Sequence, residues 1–205
     1  ILDFMGRSNE TIVGPAFDSE LYDVACVSCG QCSAACPVGA ITEKEDIESV
    51  WAAINDPNKV VVVQTAPAVR VAIGEEFGME PGSIVTGQLV SSLRMLGFDY
   101  VFDTDFTADL TIIEEGHELL KRLKEGGTLP MLTSCSPGWI NFIEQYYPEL
   151  LPHVSSCKSP QQMFGALAKG YFPEKIGKKP SDIVSVSIMP CTAKKFEALR
   201  EEMSV

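Results

Sequence analysis

Val60-Val61-Val62-Val63-Gln64-Thr65-Ala66-Pro67 carries the strongest fold signal in the chain. Four β-branched residues in a row, without polar alternation, suit a strand buried on both faces, as in a parallel sheet covered by helices. The turn cluster Asp56-Pro57-Asn58 stands before the run, and Gln64-Thr65-Ala66-Pro67 forms the turn after it. Upstream, the acidic segment Glu43-Lys44-Glu45-Asp46 leads into a helix carrying Val50, Trp51 and Ile54. Downstream, short strands are expected at Tyr100-Val101-Phe102-Asp103, Pro130-Met131-Leu132-Thr133 and Val184-Ser185-Val186-Ser187-Ile188. Amphipathic helices are expected at about 87–95, 107–125, 139–147 and 160–171. Strands alternating with helices predict an α/β lobe with a largely parallel sheet.

Three of the four expected strands end in a turn rich in proline or polar residues: Gln64-Thr65-Ala66-Pro67, Ser134-Cys135-Ser136-Pro137 and Met189-Pro190-Cys191. Ligands of parallel α/β sheets sit beyond the carboxyl ends of the strands. Topology alone therefore gathers these turns at one site, where Cys135 and Cys191 stand in parallel positions. An isolated cysteine is more often a small buried hydrophobe. Lys194, one turn beyond Cys191, would suit an anionic ligand or simply the surface. Glu115, Glu118 and Arg122 share one face of the 107–125 helix, which by itself describes a solvated, salt-bridged face.

Four of the seven cysteines fall in Cys26-x-x-Cys29-x-x-Cys32-x-x-x-Cys36-Pro37. That spacing is the ferredoxin run for cubane [4Fe–4S] clusters, in which the fourth cysteine usually ligates the other cluster of a pair. Two-residue gaps let one tight loop wrap a cube of iron and sulfide. Gly30, Gly39 and the small residues Ser28, Ser33, Ala34 and Ala35 leave room for backbone N–H groups near the sulfurs. A structural zinc site is the alternative, but such sites usually pair two CxxC units across a longer loop. No second cysteine run precedes this one, and Ile1 is not a start methionine. The expectation is an interior piece of a longer protein, with 1–43 the C-terminal half of a two-cluster ferredoxin-like module.

The 205 residues carry a net charge of −12 and a hydrophobic fraction of 45%. The acidic balance argues against nucleic acid and anionic membrane surfaces. No apolar run reaches the length of a bilayer span, and no signal-peptide pattern opens the chain. Clustered cysteines without such a signal point to metal ligation in a reducing cytoplasm rather than to disulfides.

Taken together, Thr133-Ser134-Cys135-Ser136-Pro137-Gly138-Trp139 and Met189-Pro190-Cys191-Thr192-Ala193-Lys194-Lys195-Phe196-Glu197 resemble the first two signature motifs of the iron-only (FeFe) hydrogenases. Tyr147-Pro148-Glu149-Leu150, Ser155-Ser156-Cys157-Lys158-Ser159-Pro160-Gln161-Gln162 and Thr65-Ala66-Pro67-Ala68-Val69-Arg70 resemble the same family in register. The resemblance covers essentially the whole chain and implies that 44–205 is the first lobe of an H-cluster domain. The implied activity is reversible conversion of two protons and two electrons to dihydrogen. The implied cofactors are 4Fe-4S clusters and the H-cluster, a cubane bridged through a cysteine sulfur to a diiron unit with CO, cyanide and azadithiolate. By resemblance, Cys191 is a cubane ligand and Lys194 holds a cyanide through a charge-assisted hydrogen bond. Pro67, Gln161 and Met189 line the diiron pocket. Cys135 passes protons to the azadithiolate amine, and Glu115, Ser155, Glu118 and Arg122 form the relay to solvent. Cys157 reads as structural.

Two departures stand out. The family motif has two adjacent cysteines, the second a cubane ligand; that position here is Ser136, whose oxygen is a harder donor than sulfur. Three outcomes are open: Ser136 ligates, Cys135 becomes the ligand, or the site is degenerate. The family's third motif, with two further cysteines, is absent from these residues, so the expected partners include the rest of the same polypeptide. Further expected partners are maturation factors and ferredoxin or NAD(P)H-linked redox subunits. The resemblance leaves open the multi-subunit, electron-bifurcating type. It also leaves open a sensory or electron-transfer relative without turnover and a factor for cytosolic iron–sulfur assembly.

Overall fold

The computed structural model describes residues 1–204. A short antiparallel hairpin opens the chain: β1 (Asp3–Met5) pairs with β2 (Ile12–Gly14). The cysteine run follows, with a single-turn helix α1 at Gln31–Ala35. Helix α2 (Ile47–Ile54) then leads to β3 (Val60–Thr65), the middle strand of the main sheet. After α3 (Val69–Ala72) and α4 (Thr86–Leu96) come β4 (Tyr100–Asp103) and the long helix α5 (Thr104–Glu125). Helices α6 (Pro137–Tyr146), α7 (Pro160–Gly170) and α8 (Phe172–Ile176) precede β5 (Ile183–Ile188), and α9 (Ala193–Leu199) follows it.

The sheet has the order β4-β3-β5 and is parallel throughout. The chain leaves β3 toward β4 and returns past it to β5, so the strand order reverses beyond the carboxyl end of β3. Such a reversal opens a crevice where ligands bind. The valine run behaves as a strand covered on both faces. Val61 and Val63 pack with Leu89, Leu93 and Phe98, while Val62 packs with Phe164, Ala168 and Ile183. All three valines are essentially inaccessible, each contributing roughly 1.5–3 kcal/mol by leaving water.

β3 continues through Gln64 and Thr65, two residues past the apolar run. Gln64 is 1% exposed, and its amide is fully used. Nε2 donates to the Gln161 carbonyl and Ser187 Oγ, both at 3.2 Å, and Oε1 accepts from Thr104 Oγ1 at 3.0 Å. One polar side chain thereby ties β5, α5 and the start of α7 to the middle strand.

The strand expected at 130–133 does not form. Leu132 makes one isolated parallel bridge with Val154, through Leu132 N–H to the His153 carbonyl and Ser155 N–H to the Leu132 carbonyl. Pro130 has no N–H to offer a ladder, and the segment pairs with 153–155 instead of joining the sheet. Helix α5 begins three residues before its expected start, because Asp103 caps it by accepting from Asp105 N–H at 3.0 Å.

Candidate metal centre and proton path

Beyond the sheet, Ala66 N–H donates to the Ile188 carbonyl at 3.0 Å and holds the ends of β3 and β5 together. Pro67 continues from one end; Met189 and Cys191 continue from the other. Cys135 and Ser136 reach the same region from the start of α6, where Pro137 occupies the first turn and needs no hydrogen-bond partner for its nitrogen. Cys135, Ser136 and Cys191 are exposed, and all seven cysteines are free thiols. Ser136 sits at the N-cap, yet its hydroxyl makes no capping bond. A serine there normally caps, so this oxygen is available to another partner.

Lys194 joins the two turns. Its ammonium donates to the Cys135 carbonyl at 2.9 Å and to the Glu197 carboxylate at 3.0 and 3.2 Å. Glu197 is 3% exposed and also accepts from Ser159 Oγ at 2.9 Å. Ser159 in turn caps α7 through Gln162 N–H. Gln161 follows the cap, 6% exposed, and donates to the Lys194 carbonyl at 3.4 Å. Its Oε1 is buried without a partner, a vacancy in hydrogen bonding that a bound group with a donor would fill. The network unites Cys135, Lys194 and Gln161 from three separate segments. Glu197 was not among the expected site residues; its only local signal is the i, i+3 spacing from Lys194.

Helix α5 supplies the carboxylates. Arg122 pairs with Glu118 at 2.6 Å, and Arg122 also donates to the carbonyls of Thr128, Pro152, His153 and Val154. Ser155 Oγ donates to Glu118 Oε2 at 2.7 Å, with Ser156 N–H at 3.1 Å on the same oxygen. Ser155, Glu118 and Arg122 are thus connected. Glu115 is not hydrogen-bonded to them, and its Oε1 is buried without a partner. Cys157 is more than packing: its thiol lies 3.7 Å from Glu118 Oε2. An open cleft of about 560 Å³, lined by His117, Glu118, Arg122, Ser156 and Cys157 among others, carries this group of residues to solvent.

Burial pushes the Glu118 carboxyl up, but the Ser155 hydroxyl, Arg122 and the Ser156 N–H together outweigh it and hold the group below the ordinary value of 4.5. Burial, followed by the nearby carboxylates, pushes the Cys157 thiol up. A depressed carboxyl contributes stability above its unfolded value and loses it as pH falls through the folded value. Glu118→Gln should therefore destabilise the protein at neutral pH, and the difference from wild type should shrink once pH falls below 4.5. Denaturant unfolding across pH checks this.

The cysteine loop is built for sulfur chemistry. Cys36 Sγ accepts from Ala40 N–H at 3.3 Å, and the amides of Val38, Ile41, Ala40 and Gly39 lower its thiol below the ordinary value. Cys26 Sγ accepts from Ser28 N–H at 3.4 Å. Such N–H bonds to sulfur fit thiolates that hold an iron–sulfur cluster. Among the described residues no three His, Cys, Asp or Glu side chains converge on one ion. The loop leans on the segments that follow Cys135 and Cys191: Asn141 Nδ2 on α6 donates to the Cys26 carbonyl at 2.9 Å, and Thr192 Oγ1 donates to the Ser28 carbonyl.

Soft sulfur donors at the turns beyond a parallel sheet, beside a four-cysteine loop, define an iron–sulfur redox domain of α/β architecture. Residues 59–205 match the family described as the iron-only hydrogenase large subunit, C-terminal domain, and residues 24–42 match the 4Fe-4S binding domain. The chain belongs to the iron-only hydrogenase family. It is 53% identical over 211 residues to the NADP-reducing hydrogenase subunit HndD of Solidesulfovibrio fructosivorans, covering 100% of this chain and 36% of that protein. It is 48% identical over 202 residues to iron hydrogenase 1 of Clostridium pasteurianum, covering 98% of this chain and 35% of that one. The solved structure of apo [FeFe]-hydrogenase HydA1 from Chlamydomonas reinhardtii, variant C377H, superposes with a TM-score of 0.75 at 54% identity, over 79% of this chain and 42% of that one. The chain thus spans just over a third of the length of those two curated relatives. No helix among the described residues is long and apolar enough to cross a membrane.

Proposed function

We propose that these residues form one lobe of a hydrogenase active site, where two protons and two electrons are reversibly converted to dihydrogen. The observation that carries this reading is the Lys194 network, which draws Cys135, Gln161 and the Cys191 turn onto one crevice. In this reading 1–43 is half of a ferredoxin-like module and 44–205 the first lobe of the H-cluster domain. Cys26, Cys29 and Cys32 hold a [4Fe–4S] cluster, and Cys36 serves a neighbouring one. Cys191, with Ser136 beside it, holds the cubane of the H-cluster, whose diiron unit supplies the hydrogen chemistry when bound.

The protein's own groups do the rest. Lys194, anchored by buried Glu197, presents a positive charge to an anionic ligand. Pro67, Met189 and Gln161 line the pocket and exclude water. Cys135 exchanges a proton with the site, and Glu115, Ser155, Glu118 and Arg122 carry it onward. The gap between Glu115 and Ser155 closes with a water or a small rotamer change, since apo hydrogen bonds of such paths are often loose.

The remaining cubane ligands come from the rest of the same polypeptide. Ferredoxin or NAD(P)H-linked subunits exchange electrons with the cysteine loop, maturation factors install the diiron unit, and the reduced thiols suit the cytoplasm. The Ser155–Glu118–Arg122 connection favours turnover over a purely sensory or electron-transfer role. Isotope exchange tests the reading without any electron carrier: the mature full-length protein should form HD from D2 and water, and complete absence of HD would count against it.

Ser136→Cys provides a further check. A thiolate binds iron–sulfur more firmly than a hydroxyl or alkoxide, so this variant should hold its catalytic cubane longer against a chelator. Unchanged iron loss would place Ser136 outside the ligand set.

A further inference from the structure

The turn holding Cys26 and Cys29 and the turn holding Cys191 meet at one short hydrogen bond, from Thr192 Oγ1 to the Ser28 carbonyl at 2.7 Å. Thr192 is the residue after Cys191, and the Ser28 carbonyl carbon is bonded to the nitrogen of Cys29. The Ser28 N–H also reaches Cys26 Sγ at 3.4 Å. One hydroxyl therefore connects a proposed ligand on the sheet side with two proposed ligands on the loop side, through hydrogen bonds and short covalent segments.

Two backbone features allow the approach. Ser28 holds a φ of 54°, a left-handed conformation that costs a serine energy and persists only where surroundings enforce it. Gly30 has a φ of 76°, and a Cβ there would stand 3.0 Å from Thr192 Oγ1 and 3.3 Å from its Cγ2. Asn141, 5% exposed, braces the same loop from α6 through the Cys26 carbonyl, and Gln145 fixes Asn141 by donating to its Oδ1 at 3.0 Å.

We propose that Thr192 is a positioning residue that couples the two iron–sulfur sites: its hydroxyl sets their separation and gives a bonded route for the electron passing between them. This inference rests on the hydrogenase reading above. The exchange is a single-electron step in which the loop side is oxidised and the Cys191 side reduced, with no bond broken and no proton moved.

The test uses the mature full-length protein and the variants Thr192→Val, Thr192→Ser and Gly30→Ala. Iron and sulfide content and the electron paramagnetic resonance spectra of the reduced clusters report that both sites are filled. Rapid-freeze spectra after mixing with a reductant follow electron arrival on the Cys191 side. Iron-replete Thr192→Val should slow arrival roughly tenfold, in line with the loss of other outer partners of metal ligands. Thr192→Ser should restore the rate, and Gly30→Ala, which keeps the hydroxyl but displaces the loop, should also be slow. Wild-type rates in iron-replete Thr192→Val overturn the proposal. If that variant loses iron, wild-type rates in Gly30→Ala overturn it and slow ones support it. Absence of iron–sulfur spectra from the wild-type protein is a different result, which removes the hydrogenase reading and this inference together.

Discussion

Cys135→Ala in the mature full-length protein is expected to lower hydrogen turnover by at least about 100-fold, the scale on which a positioned acid–base group contributes. The iron–sulfur spectra should stay as in wild type. The two effects separate because Cys135 is attached to its surroundings through its main chain. Lys194 binds the Cys135 carbonyl, not the thiol, so alanine keeps that anchor and removes only the exposed Sγ. The thiol belongs to a turn facing the crevice, where a proton could be exchanged with a bound group. Cys135→Asp keeps an ionisable group at the same position and should retain more turnover than alanine. Full activity in Cys135→Ala would show that the proton reaches the site by another group.

Removing Cys191 should have a comparably large effect by a different route. Cys191→Ala takes away a proposed sulfur ligand, so on the hydrogenase reading the catalytic cubane is expected to be lost and turnover with it. The cluster proposed on Cys26, Cys29 and Cys32 should survive, since those cysteines occupy a separate loop. Iron quantification together with low-temperature spectra of the reduced protein distinguishes one lost cluster from two. Retention of every cluster in Cys191→Ala would remove Cys191 from the ligand set. Cys157→Ala is the useful comparison: its thiol touches Glu118 rather than the crevice, so both clusters should remain.

Much of this architecture was legible in local sequence. The valine run could only be a strand covered on two faces, and Val61, Val62 and Val63 do divide between two hydrophobic clusters. The proline-bearing turns at Pro67 and Cys191 do lie beyond the carboxyl ends of β3 and β5, where ligands of parallel sheets bind. Residues 130–133 depart from the strand expectation because a short apolar run does not disclose its pairing partner, and here that partner is the segment beside Val154.

Other features lie outside the reach of a one-dimensional pattern. The burial of Glu197 depends on Ser159, which is 38 positions away in the chain. As an isolated residue on a short helix it reads as a surface charge. Glu115, Glu118 and Arg122 share a helix face, yet only Glu118 and Arg122 meet, because Ser155 and Ser156 approach α5 at the level of Glu118. The left-handed turn at Ser28 is also hidden, since nothing in serine's own preferences asks for it. In the fold, the Ser28 carbonyl accepts from Thr192 Oγ1.

The hydrogenase reading requires this lobe to build one side of an H-cluster rather than of an ordinary iron–sulfur centre. Infrared spectroscopy of the mature full-length protein tests it most directly, because CO and cyanide bound to iron absorb where protein does not. Bands from both ligands are expected, with the cyanide bands shifted in Lys194→Met because the charged donor is gone. A fully iron-loaded, matured protein lacking CO and cyanide bands would contradict it.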